Sequence, residues 1–144
     1  MYTQTITEKD TSHPKGLSMN TTVANILLAH GSRDPQWQTP FIDMTNAIKQ
    51  QENNTDSTVI VELAYMELCK PSLEEICEKF ALQGINKINV YPVFFAAGRH
   101  LRIDVPKQLS EIEVKLNIKT TLHPPVGQEK IVQDAITQVI FDRL

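Results

Sequence analysis

The sequence predicts an α/β domain: a parallel four-stranded sheet in the order 2-1-3-4 with helices on both faces. Three observations predict it. Short apolar runs suited to buried strands alternate four times with segments of helical periodicity. Turn-forming residues stand where the period changes. The chain has 144 residues, which is enough for one domain with its own core and too few for two ordinary ones.

The elements follow in order. Residues 1–20 are polar and aperiodic and are expected to form a disordered extension, leaving 21–144 as the domain. Val23 to Ala29 is a short apolar run followed at once by Gly31, Ser32, Asp34 and Pro35, as expected of a buried strand. Trp37, Phe41, Met44 and Ile48 then recur at spacings of four, three and four, predicting an amphipathic helix that ends near Asn53-Asn54. Val59 to Tyr65 reads as the second strand. Pro71 opens a helix whose Leu73, Ile76, Cys77 and Phe80 share one face before Gly84 stops it.

Lys87 to Phe95 reads as the third strand, although Pro92 cannot donate to a ladder, so pairing is expected on one side only or to finish early there. A helix from about Asp104 to Leu116 turns Val105, Leu109, Ile112 and Leu116 inward, with Pro106 tolerated in its first turn. Ile118 to Leu122 is the fourth strand. The last helix, from about Gln128 to Asp142, is expected to turn Ile131, Ala135, Ile136, Val139 and Ile140 toward the sheet. Strict alternation makes each connection a right-handed crossover, which implies parallel strands with helices on both faces.

Composition narrows the function classes. Fourteen Lys and Arg against 17 Asp and Glu give a net charge of -3, without the basic excess of phosphate-backbone binders, so no nucleic-acid partner is expected. Cys69 and Cys77 form neither a C-x-x-C knuckle nor a secreted disulfide framework. No run approaches the roughly 20 apolar residues that span a bilayer, so no membrane partner is expected. The first residues lack a secretory apolar stretch, and Glu8 and Asp10 do not suit a transit peptide, which together predict a cytoplasmic protein.

In the 2-1-3-4 order the first and third strands are neighbours whose connections leave on opposite faces, and ligands bind at the carboxyl ends of such strands. The loops there each carry one histidine: His30 in Ala29-His30-Gly31-Ser32-Arg33, and His100 in Gly98-Arg99-His100-Leu101-Arg102. Neutral imidazoles bind divalent metals or accept protons, although a lone loop histidine as often serves only to bond a turn. Glu67, after the second strand, is expected at the same edge as a third polar group or a solvated carboxylate. Arg33, Arg99, Arg102 and Lys107 gather around the histidine loops and predict a positive rim suited to a polycarboxylate or phosphate. Glu62 is expected to be an edge residue, Cys77 core, and His123 a turn residue. Gly31 and Gly98 add little on their own.

Three segments carry a resemblance: L-A-H-G-S-R from Leu28 to Arg33, A-Y-M-E-L-x-x-P from Ala64 to Pro71, and V-Y-P-V-F-F-A-A-G-R-H-L-R-I-D-V-P from Val90 to Pro106. Together they closely resemble the short class II tetrapyrrole chelatases, the CbiX-type sirohydrochlorin cobaltochelatases with their ferrochelatase and nickel-inserting relatives. The resemblance implies insertion of Co2+, Fe2+ or Ni2+ into sirohydrochlorin on the way to cobalamin or siroheme. The metal is then a substrate, with no permanently bound cofactor. It also implies a homodimer, because longer members hold two such halves in one chain. By motif, His30 and His100 correspond to the family's metal-binding, proton-accepting pair and Glu67 to its cleft carboxylate. Arg99 stands immediately before His100 where many members have a small residue, and the polar extension is unusual.

The chemistry suits that set. Metallation removes two pyrrole N–H protons while the metal exchanges water for ring nitrogens. Bases and weak transient ligands are therefore needed, and a closed thiolate cage would trap the metal. Two rivals remain. A non-catalytic metal or tetrapyrrole carrier uses the same ligands without turnover. Histidine-dependent phosphoryl transfer fits poorly, because Ala29 stands where those enzymes place an arginine before the nucleophile.

Overall fold

The computed structural model describes residues 22–51 and 59–144. Within them β1 (Val23–Ala29), α1 (Pro35–Gln51), β2 (Ile60–Tyr65), α2 (Leu73–Leu82), β3 (Lys87–Pro92), α3 (Val105–Leu116), β4 (Lys119–Leu122) and α4 (Lys130–Phe141) follow one another. A π-helical turn, His100–Asp104, precedes α3, and a 3-10 turn, Val126–Gln128, precedes α4. The four strands form one sheet in the order β2-β1-β3-β4, every pair parallel, as the alternation predicts. The extension at 1–20 and the expected helix end at Asn53-Asn54 lie outside the described residues.

β1 is buried because it sits between two neighbours and two layers. Its even positions Ala24, Ile26 and Leu28 meet Leu73, Ile76, Cys77 and Phe80 of α2 and Val105, Leu109 and Ile112 of α3. Its Leu27 and Ala29 face the other way, with Val61, Leu63 and Tyr65, onto Trp37, Phe41 and Ile48 of α1. Period-two alternation in the strands and the apolar stripes of the helices thus produce both layers.

Helix α2 starts at Leu73 rather than at Pro71, because Ser72 is its cap. The Ser72 side chain accepts from the Glu75 N–H at 3.1 Å, and the Ser72 N–H donates to Glu75 Oε2 at 2.9 Å. Such a reciprocal box satisfies two otherwise orphaned donors, and a cap of this kind contributes about 1 kcal/mol. The Ser72 N–H holds the Glu75 carboxyl below its ordinary pKa, with Lys70 also favouring the ionised form.

β3 ends at Pro92, as a residue without an N–H requires. On the β1 side Pro92 still registers with Leu28, whereas pairing with β4 stops at Val90 and Leu122. Glu62 lies on the edge strand, as expected, where its carboxylate pairs with Lys79 at 2.7 Å and Lys49 at 3.8 Å. His123 is held by Asn89 at 3.2 Å and stacks on Tyr91, a structural setting.

One expectation fails. Helix α4 buries none of its residues, and Ile131, Ala135, Ile136, Val139 and Ile140 stay exposed instead of packing on the sheet. The reason lies in what the sheet offers and how the helix is launched. On the sheet face that carries α1, Asn25, Asn89 and Thr121 stand in register across three strands, a polar row that gives an apolar helix little to pack on at that level. At its root the Gly127 N–H donates to the Phe94 carbonyl at 2.8 Å, and Glu129 is extended, which separates α4 from the 3-10 turn before it.

Among the described residues no helix is long and apolar enough to cross a membrane. Both cysteines are free. Burial, with Glu74 and Glu78 nearby, pushes the Cys77 thiol up to about 12, whereas Cys69 is only half-buried. A thiol titration of the native protein at pH 8 is therefore expected to count one reactive cysteine, with the second appearing only on unfolding.

Candidate functional site

The carboxyl ends of β1, β2 and β3 build the site, and the main chain does the placing. Beyond β1 the parallel ladder continues into the loops: Met66 donates to Ala29 O at 2.9 Å and Glu67 N donates to His30 O at 3.1 Å. On the other side Val93 N donates to Leu28 O at 2.8 Å. The structure therefore brings Glu67 beside His30, as the strand order predicts. Both side chains are exposed.

The His30 ring stacks on Phe94, with centroids 4.1 Å apart and planes 27° from parallel. Phe94 is itself buried, so the imidazole lies on a fixed apolar platform with its edge available. Sequence reading gave Phe94 no role, and its place just past the end of β3, beside the end of β1, is the signal that could have found it.

His100 is not in a loop as expected. It is the first residue of the π-helical turn, closed by the Val105 N–H donating to the His100 carbonyl. Leu101 is buried and anchors the turn, while Arg99, His100 and Arg102 are exposed. His100 Nδ1 lies 2.7 Å from Asp104 Oδ2. An ionised carboxylate can only accept, so Nδ1 carries the proton, and in the neutral imidazole the lone pair is then on Nε2. Sequence reading placed Asp104 at a helix start and within the motif running from Val90 to Pro106 but gave it no part in holding His100; the histidine-aspartate spacing of four was the available signal.

Arg33, Arg99, Arg102 and Lys107 are all exposed, and none forms an ion pair among the described residues. Among the described residues no three His, Cys, Asp or Glu side chains are grouped so as to hold a metal ion. Burial, with Cys69 beside it, raises the Tyr65 hydroxyl above its ordinary pKa, which keeps Tyr65 neutral beneath the site.

With this geometry in view, comparison with known proteins is decisive. The CbiX family model matches residues 24–143. The chain belongs to the CbiX family. It is 32% identical over 119 residues to a sirohydrochlorin cobaltochelatase of Sulfurisphaera tokodaii, covering 83% of this chain and 88% of that one. The corresponding protein of Sulfolobus acidocaldarius is 30% identical over 113 residues, covering 78% and 85%. Among solved structures, a CbiX protein from Marinobacter aquaeolei superposes with a TM-score of 0.72 at 34% identity, over 84% of this chain and 93% of that one. The sirohydrochlorin chelatase SirB from Bacillus subtilis subspecies spizizenii, solved with cobalt, shares the fold at a TM-score of 0.68 and 23% identity. This CbiX chain covers 84% of its own length in that match but half of the SirB chain.

Gly31 deserves more weight than its sequence context gave it. Its φ is +101°, and a Cβ there would run into the Glu67 carbonyl. The close approach of the two loops, and with it the pairing of His30 with Glu67, requires glycine. Gly31→Ala is expected to lower stability by at least about 1 kcal/mol in a denaturant titration, because it adds backbone strain and a main-chain collision together.

Proposed function

We propose that this CbiX-family protein is a sirohydrochlorin chelatase in which His30 and His100 bind the incoming divalent metal and take up the two pyrrole protons. What supports the reading is a pair of exposed histidines in the segments that follow the adjacent strands β1 and β3, one stacked on Phe94 and one bonded to Asp104. The family supplies the reaction, and the residue roles follow the motif resemblance, with this geometry in support.

The steps assigned to the chain's own groups are simple. Nε2 of His100, aimed by Asp104, offers a lone pair first to the hydrated metal and, once the metal passes to the ring nitrogens, to a proton. His30 does the same from its aromatic platform. Glu67, beside His30, supplies a negative charge that attracts the cation and stabilises a protonated imidazole. Arg33, Arg99 and Arg102, with Lys107 at the rim, orient the acidic macrocycle through charge-assisted hydrogen bonds to its carboxylates. We assign cobalt or iron as the metal, nickel being the remaining candidate, and cobalamin or siroheme as the product. We place the domain at residues 21–144, the assembly as a homodimer, and the protein in the cytoplasm, where its two free cysteines are at home.

An absorbance time course with sirohydrochlorin and Co2+ or Fe2+ tests the reading. Turnover above the spontaneous rate is expected for the native chain, with loss to that rate when His30→Ala and His100→Ala are combined. Stoichiometric binding that then stops would instead identify a carrier. Asp104→Asn is expected to cut the rate by about 10- to 100-fold while the circular dichroism spectrum is kept, since it removes the obligate acceptor that fixes the His100 tautomer.

A further inference from the structure

Leu68 breaks two local rules at one position. Its φ is +68°, in the left-handed region where a side chain crowds the backbone and where glycine or asparagine is the ordinary choice. It is also 54% exposed, in a turn of the kind that ordinarily takes polar residues. The turn is tight: the Cys69 N–H donates to the Glu67 carbonyl at 2.9 Å and closes a three-residue γ-turn centred on Leu68. The form with a positive central φ is the rare, strained one.

Strain of this kind persists only where the surroundings impose it. Here they do so from both sides. Upstream, the Glu67 N–H donates to the His30 carbonyl at 3.1 Å, and the Glu67 carbonyl lies against Gly31, where no Cβ would fit. Downstream, the Tyr65 N–H donates to the Pro71 carbonyl at 2.9 Å, and Tyr65 bridges to Ser72, the cap of α2. The flanking side chains are anchored as well: Met66 packs on the core layer that holds α2 and α3, and Cys69 on the layer that holds α1. Leu68 belongs to neither layer. Glu67 and Leu68 are the two side chains that this stretch leaves exposed, beyond the ends of β1 and β2.

We propose that Leu68 is a substrate-contacting residue, an apolar finger that bears on the face of the tetrapyrrole beside the Glu67 carboxylate, and that the strained turn holds it there. The inference rests on the chelatase reading above and adds to it the group that meets the ring itself. A tetrapyrrole is acidic around its rim and apolar across its faces. The arginines and histidines address the rim and the centre, but a site for such a guest also needs apolar surface. A leucine offered beside Glu67 supplies it, at a cost to the fold that a surface residue without a ligand does not repay. Stability and binding should therefore respond to substitution with opposite signs.

The test uses the full-length chain, titrated with metal-free sirohydrochlorin by fluorescence and unfolded in denaturant. Leu68→Asn and Leu68→Gly are expected to raise the denaturant midpoint, because both residues accept the left-handed region. Both are expected to weaken ring binding by about 10-fold, the lower end of what burying a leucine contributes, while leaving the KM for Co2+ at its native value. Leu68→Met restores an apolar side chain and should keep the native ring affinity. Leu82→Ala removes a leucine 90% exposed at the end of α2 and should leave ring binding as it was. Native ring affinity in Leu68→Gly and Leu68→Asn would overturn the proposal. So would a midpoint lowered by both, which would make the leucine a structural residue, or a native chain that binds no ring. A native chain that binds the ring through Leu68 but never metallates it would sink the catalytic reading and leave this contact standing.

Discussion

The structure depends on how the central strand holds its two neighbours. β1 is hydrogen-bonded on both edges, and its ladder runs on after the strand proper has ended, through Ala29 and His30 to Met66 and Glu67 and through Leu28 to Val93. Because a parallel ladder fixes neighbouring residues in depth as well as in order, three loops from distant parts of the chain arrive at one level. His30 is thereby set by main-chain bonds rather than by its own side chain. The packing of Ile26 and Leu28 beneath, fully buried against α2 and α3, makes that level hard to shift.

Charge is divided between body and site. Most described lysines on the helices are matched: Lys115 with Glu74 and Glu78, Lys79 and Lys49 with Glu62, Lys130 with Asp134. Exposed pairs of this kind contribute little to stability, about 0–1 kcal/mol each. Their effect is to neutralise the acidic surface away from the sheet's carboxyl edge. Arg33, Arg99 and Arg102 stay unmatched among the described residues, so a protein with net charge -3 keeps local positive charge beside its two histidines.

Much of this was legible in the sequence because the responsible forces are local and periodic. The strand-helix alternation, the order of the strands, the early end at Pro92 and the gathering of His30 and Glu67 all follow from side-chain period, proline chemistry and the crossover rule. What escaped has a different physical origin. Gly31 matters because of a carbonyl 36 residues further along the chain, and no local pattern reports that approach. The fate of α4 was misread because amphipathicity says that a face must be covered but not by what, and the row of Asn25, Asn89 and Thr121 becomes visible only once the strands are in register. The π turn at His100 was read as a loop because its hydrogen bonds span five residues, a spacing that leaves no familiar apolar period.

That turn also constrains how the site can change over time. A π turn amounts to one surplus residue lodged in a helix start, held here by Leu101 in the core on one side and by the His100–Asp104 bond on the other. Losing any single residue between Gly98 and Val105 would let the segment relax into an ordinary α-helix, a more regular backbone. The imidazole would then swing by about 100° around the axis and leave the sheet edge. In descendants of this chain, shortening the segment by even one position would therefore trade the present setting of His100 for a tidier helix.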